Sequence, residues 1–288
     1  MVAKKKASLQ SLKAGRPPTA KSGRSMSRKA SRTLINTHHQ LEKRRRQATA
    51  MGDGQAEAAI AAEIASLGGL DHYQQASLQG QRLDRGGDTS KVLLEWLPTK
   101  KLATGRQRLR MLEVGALSTR NACSRSGLFD MVRIDLNSQE KGIVEQDFME
   151  RPLPSSDADK FDVISLSLVL NFVPEAESRG QMLMRTLSFL RKQVMATQDQ
   201  VPFPLLFLVL PRSCLSNSRY MTESRLEELM SDLGYRRSQT KMTQKLAYSL
   251  WRNTQLLTPT EIAFTKREVN PGRARNNFVI TLHHRGDR

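Results

Sequence analysis

The sequence contains only two cysteines, Cys123 and Cys214, among its 288 residues. Two thiols cannot build a disulfide framework, and they cannot supply the four ligands of a structural zinc site. The five histidines are scattered, and no pair of them has the HxxxH spacing of a helical zinc site. We therefore expect a protein without a bound metal.

Long hydrophobic runs are also missing. The longest apolar stretch covers residues 201–211, and prolines interrupt it. A membrane-spanning helix needs ~20 consecutive apolar residues. The cationic N-terminus is not followed by an apolar segment either, which disfavours a secretory signal peptide. The composition predicts a soluble, intracellular protein.

Acidic residues are absent from residues 1–32, and residues 1–50 combine 14 Lys and Arg with a single acid, Glu42. The rest of the chain carries a net charge of only +5 out of the total of +18. A segment with so much charge and so few apolar side chains cannot bury enough surface to fold. We expect residues 1–32 to form a disordered basic tail.

The basic clusters at 4–6 and 43–46 are typical of a nuclear import signal or of a patch that neutralises phosphates. A merely solubilising tail is the simpler alternative. A mitochondrial presequence fits less well, because the charge is lysine-rich and no amphipathic arginine helix is visible. The tail favours a location in the nucleus and, given its capacity for phosphates, in the nucleolus.

Residues 33–104 are predicted to form a helical extension. Residues 34–47 contain no Gly or Pro, 55–67 are rich in Ala and Glu, and 90–97 have amphipathic spacing. A main domain is then expected over residues 105–288.

In that domain the apolar pattern alternates between strand and helix periods, which predicts an α/β fold with a doubly wound, mostly parallel sheet. Helices are predicted within 119–129, around Leu183–Val194, and after a capping box formed by Ser224 and Glu227. Two late strands without a helix between them predict an antiparallel edge hairpin. The predicted strands are 109–114, 131–136, 142–148, 161–170, 205–210, 245–251 and 277–283.

Ligands of such sheets bind outside the carboxyl ends of the strands, which selects four candidate residues. Gly115 follows the first strand and lets the backbone turn close to a ligand. Asp135 ends the second strand at the distance expected of a ribose-binding acid. Asp147 follows the third strand, where a carboxylate can reach an adenine amino group, and Ser165 begins the segment that closes the fourth.

The glycine pattern distinguishes between cofactors. A dinucleotide needs a loop with three glycines for its pyrophosphate, whereas this chain has Leu117 and Thr119 where the second and third would stand. S-adenosylmethionine contains no phosphate, so a single glycine with ribose- and adenine-binding acids can suffice. The residues therefore favour S-adenosylmethionine, and a nucleotide-dependent oxidoreductase is disfavoured.

Several segments together resemble the fungal family of large-subunit rRNA adenine-N1 methyltransferases, over roughly residues 68–283. They are RGGDTSK at 85–91, EVGALS at 113–118, RIDLNS at 133–138, EQDFM at 145–149, FDVISLSLVLNFVP at 161–174 and LPRSCLSNSRY at 210–220.

The resemblance implies a class I methyltransferase (Rossmann-like) fold, a nucleolar location, and methylation of N1 of one adenine in the large (25S) rRNA, on naked rRNA or on a pre-ribosomal particle. It also implies that Gly115 and Asp135 contact the cofactor. Animal relatives of the family act as sensors of S-adenosylmethionine through protein partners, so a cofactor-binding interaction protein without catalysis is the alternative.

No catalytic residue is identified, because adenine N1 already has a lone pair and needs no general base. Asn171–Pro174 only superficially resembles the Asn/Asp-Pro-Pro-Tyr/Phe motif of enzymes that methylate the N6 amine. Its residues Asn171 and Phe172 are interpreted as the entry to a helix. Phe172, Arg212 and Tyr220 are candidates for contacts with the target RNA, and Cys214 for packing. The choice of adenine, the role of the tail and the oligomeric state stay open.

Overall fold

The computed structural model describes residues 28–69, 87–104, 108–138, 140–191, 203–254 and 261–285. The prediction of a disordered tail therefore lies outside the described residues up to residue 27, and the first helix begins at Arg28. The helices are α1 (Arg28–Met51), α2 (Gly54–Ser66), α3 (Ser90–Trp96), α4 (Thr99–Ala103), α5 (Ala122–Arg125), α6 (Ala176–Phe189), α7 (Ser213–Ser216) and α8 (Glu223–Asp232). The strands are β1 (Leu109–Val114), β2 (Phe129–Asp135), β3 (Val144–Glu145), β4 (Val163–Ser167), β5 (Leu205–Pro211), β6 (Tyr235–Met242), β7 (Leu246–Asn253), β8 (Glu261–Phe264) and β9 (Leu282–Arg285).

Helices α1 and α2 form a hairpin in the predicted helical extension. Asp53 caps α2, since its side chain accepts a hydrogen bond from the backbone N–H of Ala56 at 3.0 Å. The two helices pack through a small apolar cluster of their own. Its buried members are Leu41, Ala48, Ile60 and Ile64.

Seven strands form one sheet in the order β3-β2-β1-β4-β5-β7-β6. Neighbouring strands are parallel from β3 to β5, and β7 pairs antiparallel with both β5 and β6. Strand β5 is buried on both faces because hydrophobic clusters cover each side of the sheet. The predicted class I methyltransferase fold, with its mostly parallel sheet and antiparallel edge hairpin, is confirmed.

The strands of that hairpin differ from those predicted. Strand β7 pairs with β6 and not with the chain's last strand. The last strand, β9, is shorter than the predicted 277–283 and pairs with β8 in a separate two-stranded sheet. Strand β6 has mostly exposed side chains because it lies at the sheet edge, so it lacks the apolar alternation by which strands are predicted.

Two helix predictions also need correction. Helix α5 covers only Ala122–Arg125, since Gly127 adopts a φ of 72° and ends the helical path well before residue 129. Helix α8 is capped by Thr222, whose side chain accepts from the backbone N–H of Arg225, and not by Ser224. Within the described part of the chain, no helix is long and apolar enough to cross a membrane.

Candidate functional site

The turns that follow β1 and β4 meet at the carboxyl edge of the sheet. Strand order reverses between these two strands, and ligands of open α/β sheets bind at such a switch point. Gly115, directly after β1, has a φ of 72°, and its N–H donates to the carbonyl of Ile134 at 2.9 Å. A Cβ atom on Gly115 would lie 2.8 Å from Cγ2 of Val169. Only glycine fits this close approach of the two turns.

The turn after β4 contains a strained residue. Leu168 has a φ of 59°, which side chains other than glycine rarely adopt, and its N–H donates to the carbonyl of Val209 at 2.9 Å. Such strained backbone is concentrated at functional sites, because the surrounding structure must hold it in place.

Asn171 lies within that turn, and its side chain has an unsatisfied acceptor. Its Oδ1 atom is buried and has no hydrogen-bond partner among the described residues. A buried polar atom without a partner is rare in folded proteins and destabilises the fold unless a ligand supplies the partner. The interpretation of Asn171 and Phe172 as the entry to a helix is wrong, because both lie in the turn after β4 and α6 begins only at Ala176, with Glu175 as its N-cap.

Asp135 lies at the end of β2, next to the Gly115 turn. Its Oδ1 atom accepts from the backbone N–H of Asn137 at 2.9 Å, and its carbonyl accepts from Gln146. Burial, and to a smaller degree the neighbouring carboxylate of Glu145, raise the pKa of Asp135 above its ordinary value. Hydrogen bonds from hydroxyl groups would stabilise the charged form of such a partly buried carboxylate.

The other two candidates occupy different positions. Asp147 follows β3, and its Oδ1 atom accepts from the backbone N–H of Met149 at 2.7 Å. Ser165 lies inside β4, opposite Glu113 of β1, and is only 3 % exposed. The structure therefore brings Gly115 and Asp135 together at the edge, and it places Ser165 one layer below it.

The loop after Gly115 is closed by a carboxylate. Glu140 accepts both from Oγ1 of Thr119, at 2.5 Å, and from the backbone N–H of Thr119. These two hydrogen bonds are the main reason why the pKa of Glu140 lies below its ordinary value. Because the backbone N–H of Thr119 already donates to Glu140, it is not free to bind a phosphate. This agrees with the absence of glycine at positions 117 and 119.

Sequence reasoning did not find the role of Glu113. Nδ2 of Asn121 donates to both of its carboxylate oxygens, at 2.8 and 2.9 Å. Burial nevertheless raises the pKa of Glu113 to about 7, while Asn121 and the charge of Arg133 act in the opposite direction. The available sequence signal was its place two residues before Gly115.

Residues 88–90 of the RGGDTSK segment were also given no role, although they dock against the same edge. Oδ2 of Asp88 accepts from the backbone N–H of Ala122 at 2.5 Å, and its Oδ1 accepts from Ser90. The hydroxyls of Thr89 and Ser167 lie 2.8 Å apart, so the helical extension is fastened to the end of β4.

The two thiols are chemically quiet. Burial raises the pKa of both Cys123 and Cys214 to about 12, so neither is ionised near neutral pH. This fits the packing role expected of Cys214. Among the described residues, no three His, Cys, Asp or Glu side chains are grouped to hold a metal ion.

The family model described as "25S rRNA (adenine(2142)-N(1))-methyltransferase" matches residues 58–280. A Saccharomyces cerevisiae protein named 25S rRNA (adenine(2142)-N(1))-methyltransferase is 43% identical over 222 residues, which are 76% of this chain and 62% of that protein. A Schizosaccharomyces pombe protein named 25S rRNA adenine-N(1) methyltransferase is 40% identical over 225 residues, or 77% of this chain and 79% of that protein. The match thus spans less than two thirds of the length of the Saccharomyces relative.

Similar solved structures include a magnesium protoporphyrin IX methyltransferase from Synechocystis with bound SAM (TM-score 0.40, 13% identity, 57% of this chain and 77% of that chain). An Escherichia coli rRNA methylase aligns with a TM-score of 0.36 and 10% identity over 77% of each chain. Superpositions this loose carry no argument about the site, and the fold rests on the strand order itself.

Proposed function

The chain belongs to the family of 25S rRNA (adenine(2142)-N(1))-methyltransferases, and we propose that it transfers a methyl group from S-adenosylmethionine to N1 of an adenine in large-subunit rRNA. The main support for this proposal is the contact between the turns after β1 and β4 at the switch point. There Gly115 leaves no room for a Cβ beside Val169, and Asn171 leaves a buried acceptor unpaired.

The residues at the edge fit the proposed cofactor. Gly115 provides the close backbone approach, and Asp135 offers a partly buried carboxylate to the ribose hydroxyls. Asp147 is proposed to accept from the adenine amino group. Ser165 is proposed as the fourth contact, from its position beneath the edge. When bound, S-adenosylmethionine supplies an electrophilic methyl group, and the acids on this side of the sheet suit its positive charge.

The chain's own part in the reaction is then to position the target base. Adenine N1 has an in-plane lone pair and carries no proton, so a general base is not required, and positioning with a suitable field supplies the catalysis. We propose that Oδ1 of Asn171 accepts a hydrogen bond from the N6 amino group of the target adenine. This bond would satisfy the orphaned acceptor and leave N1 unblocked beside it.

The target must be accessible for this to happen. Adenine N1 lies on the Watson–Crick edge and is buried in a duplex, so the base has to be unpaired or flipped out of its stack. We propose that the catalytic unit is residues 105–288, with 33–104 as an extension docked through Asp88 and Thr89. The basic tail supports action on pre-ribosomal particles in the nucleus and nucleolus.

The test is incubation of the full chain with S-adenosylmethionine labelled in its methyl group and an unmodified transcript of large-subunit rRNA, followed by nucleoside analysis. We expect label in 1-methyladenosine and none in N6-methyladenosine. Tight cofactor binding without labelled RNA, on pre-ribosomal particles as well as on the transcript, would contradict the proposal and favour the sensor alternative.

A further inference from the structure

A second surface at the carboxyl edge lies beyond the cofactor site. It consists of residues 212–220, which directly follow β5, and residues 265–278, which lie between β8 and β9. We call these two segments the basic platform. Because β5 is the neighbour of β4 in the sheet, the platform begins one strand away from the turn that contains Asn171.

Hydrogen bonds between main chains hold the platform together. The N–H of Arg219 donates to the carbonyl of Asn276 at 3.0 Å, and the carbonyl of Arg219 accepts from Val269 and Asn270. The fully buried hydroxyl of Ser218 donates to the carbonyl of Phe278 and accepts from the N–H of Tyr220. These hydrogen bonds therefore fix both segments in position before any ligand arrives.

A buried guanidinium joins the platform to the turn after β4. Arg179 donates to the carbonyls of Val173 and Pro174 on one side and to the carbonyl of Val279 on the other. Its charged group also lies 4.7 Å from the ring centre of Phe278. The platform and the proposed base-binding turn are thus parts of one connected structure.

The platform concentrates positive charge. It contains six basic residues, namely Arg212, Arg219, Lys266, Arg267, Arg273 and Arg275, and one acid, Glu268. This net charge of +5 equals the whole net charge of residues 51–288, because the remainder of that region has 26 basic and 26 acidic residues.

The platform's cations are not neutralised by acids. None of the six forms an ion pair within the described residues, and Arg219 donates only to the neutral oxygens of Gly272 and Asn277. Basic residues on the outermost strand β6, in contrast, form ion pairs: Arg237 pairs with Glu227, and Lys241 pairs with Glu95. The platform therefore offers uncompensated donors to an anion.

An aromatic ring accompanies these cations. Nζ of Lys266 lies 4.3 Å from the ring centre of Tyr220, and both residues lie on the platform. Unpaired cations around an aromatic side chain suit a single-stranded nucleic acid, whose phosphates and bases need both kinds of contact.

We propose that the basic platform binds the phosphates of single-stranded RNA that flanks the target adenine. The inference rests on the proposed function for the identity of the RNA. The new element is the binding surface. The RNA strand lies across residues 212–220 and 265–278, and its target base reaches the turn at Asn171. The basic tail of residues 1–32 then adds affinity for RNA without fixing the position of the target base.

The test compares two triple variants of the full chain. The platform variant carries Lys266→Ala, Arg267→Ala and Arg273→Ala, all exposed residues. The control carries Lys100→Ala, Lys101→Ala and Arg108→Ala, which are also exposed and precede β1, whose amino end lies away from the carboxyl edge. Both lose three positive charges, and both keep the cofactor residues.

The probe is the unmodified rRNA transcript, and its affinity is measured by fluorescence anisotropy over a range of salt concentrations. The platform variant should bind roughly ten- to a hundredfold more weakly near physiological salt, and the slope of log K against log salt should fall by about 2. The control should keep the wild-type slope. Affinity for S-adenosylmethionine should be unchanged in both, which also verifies that they are folded.

The outcomes separate this inference from the proposed function. If the wild type methylates the transcript while the platform variant binds RNA as the control does, the platform assignment is wrong and the proposed function stands. If RNA affinity depends on the platform but no methyl group is transferred, the surface is confirmed and the methyltransferase proposal fails.

Discussion

The two halves of the carboxyl edge differ in the sign of their charge. Around β1, β2 and β3 the edge is lined by acids such as Asp88, Glu113, Asp135 and Asp147, and their oxygens already accept hydrogen bonds from the chain. Beyond β5 the edge is the basic platform, whose cations have no acidic partners among the described residues.

This division corresponds to the two proposed ligands. A sulfonium cofactor is a small cation with hydroxyl donors, so it is favoured by buried acceptors. RNA is a polyanion, so it is favoured by exposed, uncompensated cations. One edge of a sheet can therefore bind two ligands of opposite charge, because the acidic half has acceptors for the cofactor and the basic platform has donors for the RNA. Three substitutions test this division of the edge.

The largest effect is expected from Gly115→Arg. A side chain at this position would collide with Val169 and fill the cleft between the two turns. We expect the loss of detectable S-adenosylmethionine binding, measured by isothermal titration calorimetry, with RNA affinity retained. Gly115→Ala should weaken binding by about ten- to a hundredfold, in line with the 1–3 kcal/mol typical of overpacking.

Gly127→Arg is the matched control. Gly127 has the same φ of 72°, but a Cβ there would meet no atom within 4 Å. Both substitutions thus introduce the same backbone strain, and only Gly115→Arg blocks the cleft. Equal losses of cofactor binding in the two variants would mean that strain, and not the cleft, explains the effect.

The next effect concerns the boundary between the halves. Asn171→Leu removes the unpaired acceptor while keeping a side chain of similar size. Since a buried donor of the target base would then lack its partner, kcat/KM for methyl transfer should fall about ten- to a hundredfold.

Affinity for S-adenosylmethionine should not change in Asn171→Leu. The comparison variant is Gln239→Leu, which removes an exposed amide from the edge strand β6, three strands away from β4, and it should keep the wild-type kcat/KM. Methyl transfer at the wild-type rate by Asn171→Leu would contradict the proposed contact.

The third change tests the acidic half of the edge through the pH dependence of stability. The pKa of Glu113 is raised from 4.5 to about 7 in the folded chain. The folded state therefore holds this proton more tightly than the unfolded state, and the free energy of unfolding falls as the pH rises from about 4.5 through 7. The fall is at most about 3 kcal/mol, at 1.36 kcal/mol for each pKa unit.

Glu113→Gln should lack this contribution. Denaturant unfolding at pH 5 and pH 8 should show that the variant loses less stability than the wild type over this interval. Glu150→Gln, which changes an exposed carboxylate, should behave as the wild type does. Parallel pH profiles for Glu113→Gln and the wild type would show that burial does not raise this pKa.

The central strands were predictable because burial on both faces leaves continuous apolar runs. Strand β1 has the predicted bounds, and β5 differs only by the inclusion of Pro211. The edge strand β6 was not predictable from periodicity, since its side chains face solvent. Strand β3 has only two residues, Val144 and Glu145, and both are exposed, so the predicted 142–148 was too long.

At the site, Gly115 and Asp135 could be located because Gly115 directly follows β1 and Asp135 is the last residue of β2. The partners of Glu113 could not, because Asn121 reaches it from the far side of a loop. The platform required the structure for the same reason: residues 212–220 and 265–278 are far apart in the sequence and are joined by the bonds of Ser218 and Arg219.

The most direct test measures both affinities, for S-adenosylmethionine and for the rRNA transcript, in Gly115→Arg and in the platform variant. We expect opposite results for the two variants: Gly115→Arg loses the cofactor and keeps its RNA affinity, while the platform variant keeps the cofactor and loses RNA affinity with a reduced salt slope. If either variant loses both ligands while remaining folded, or keeps the one it should lose, the edge is not divided in this way.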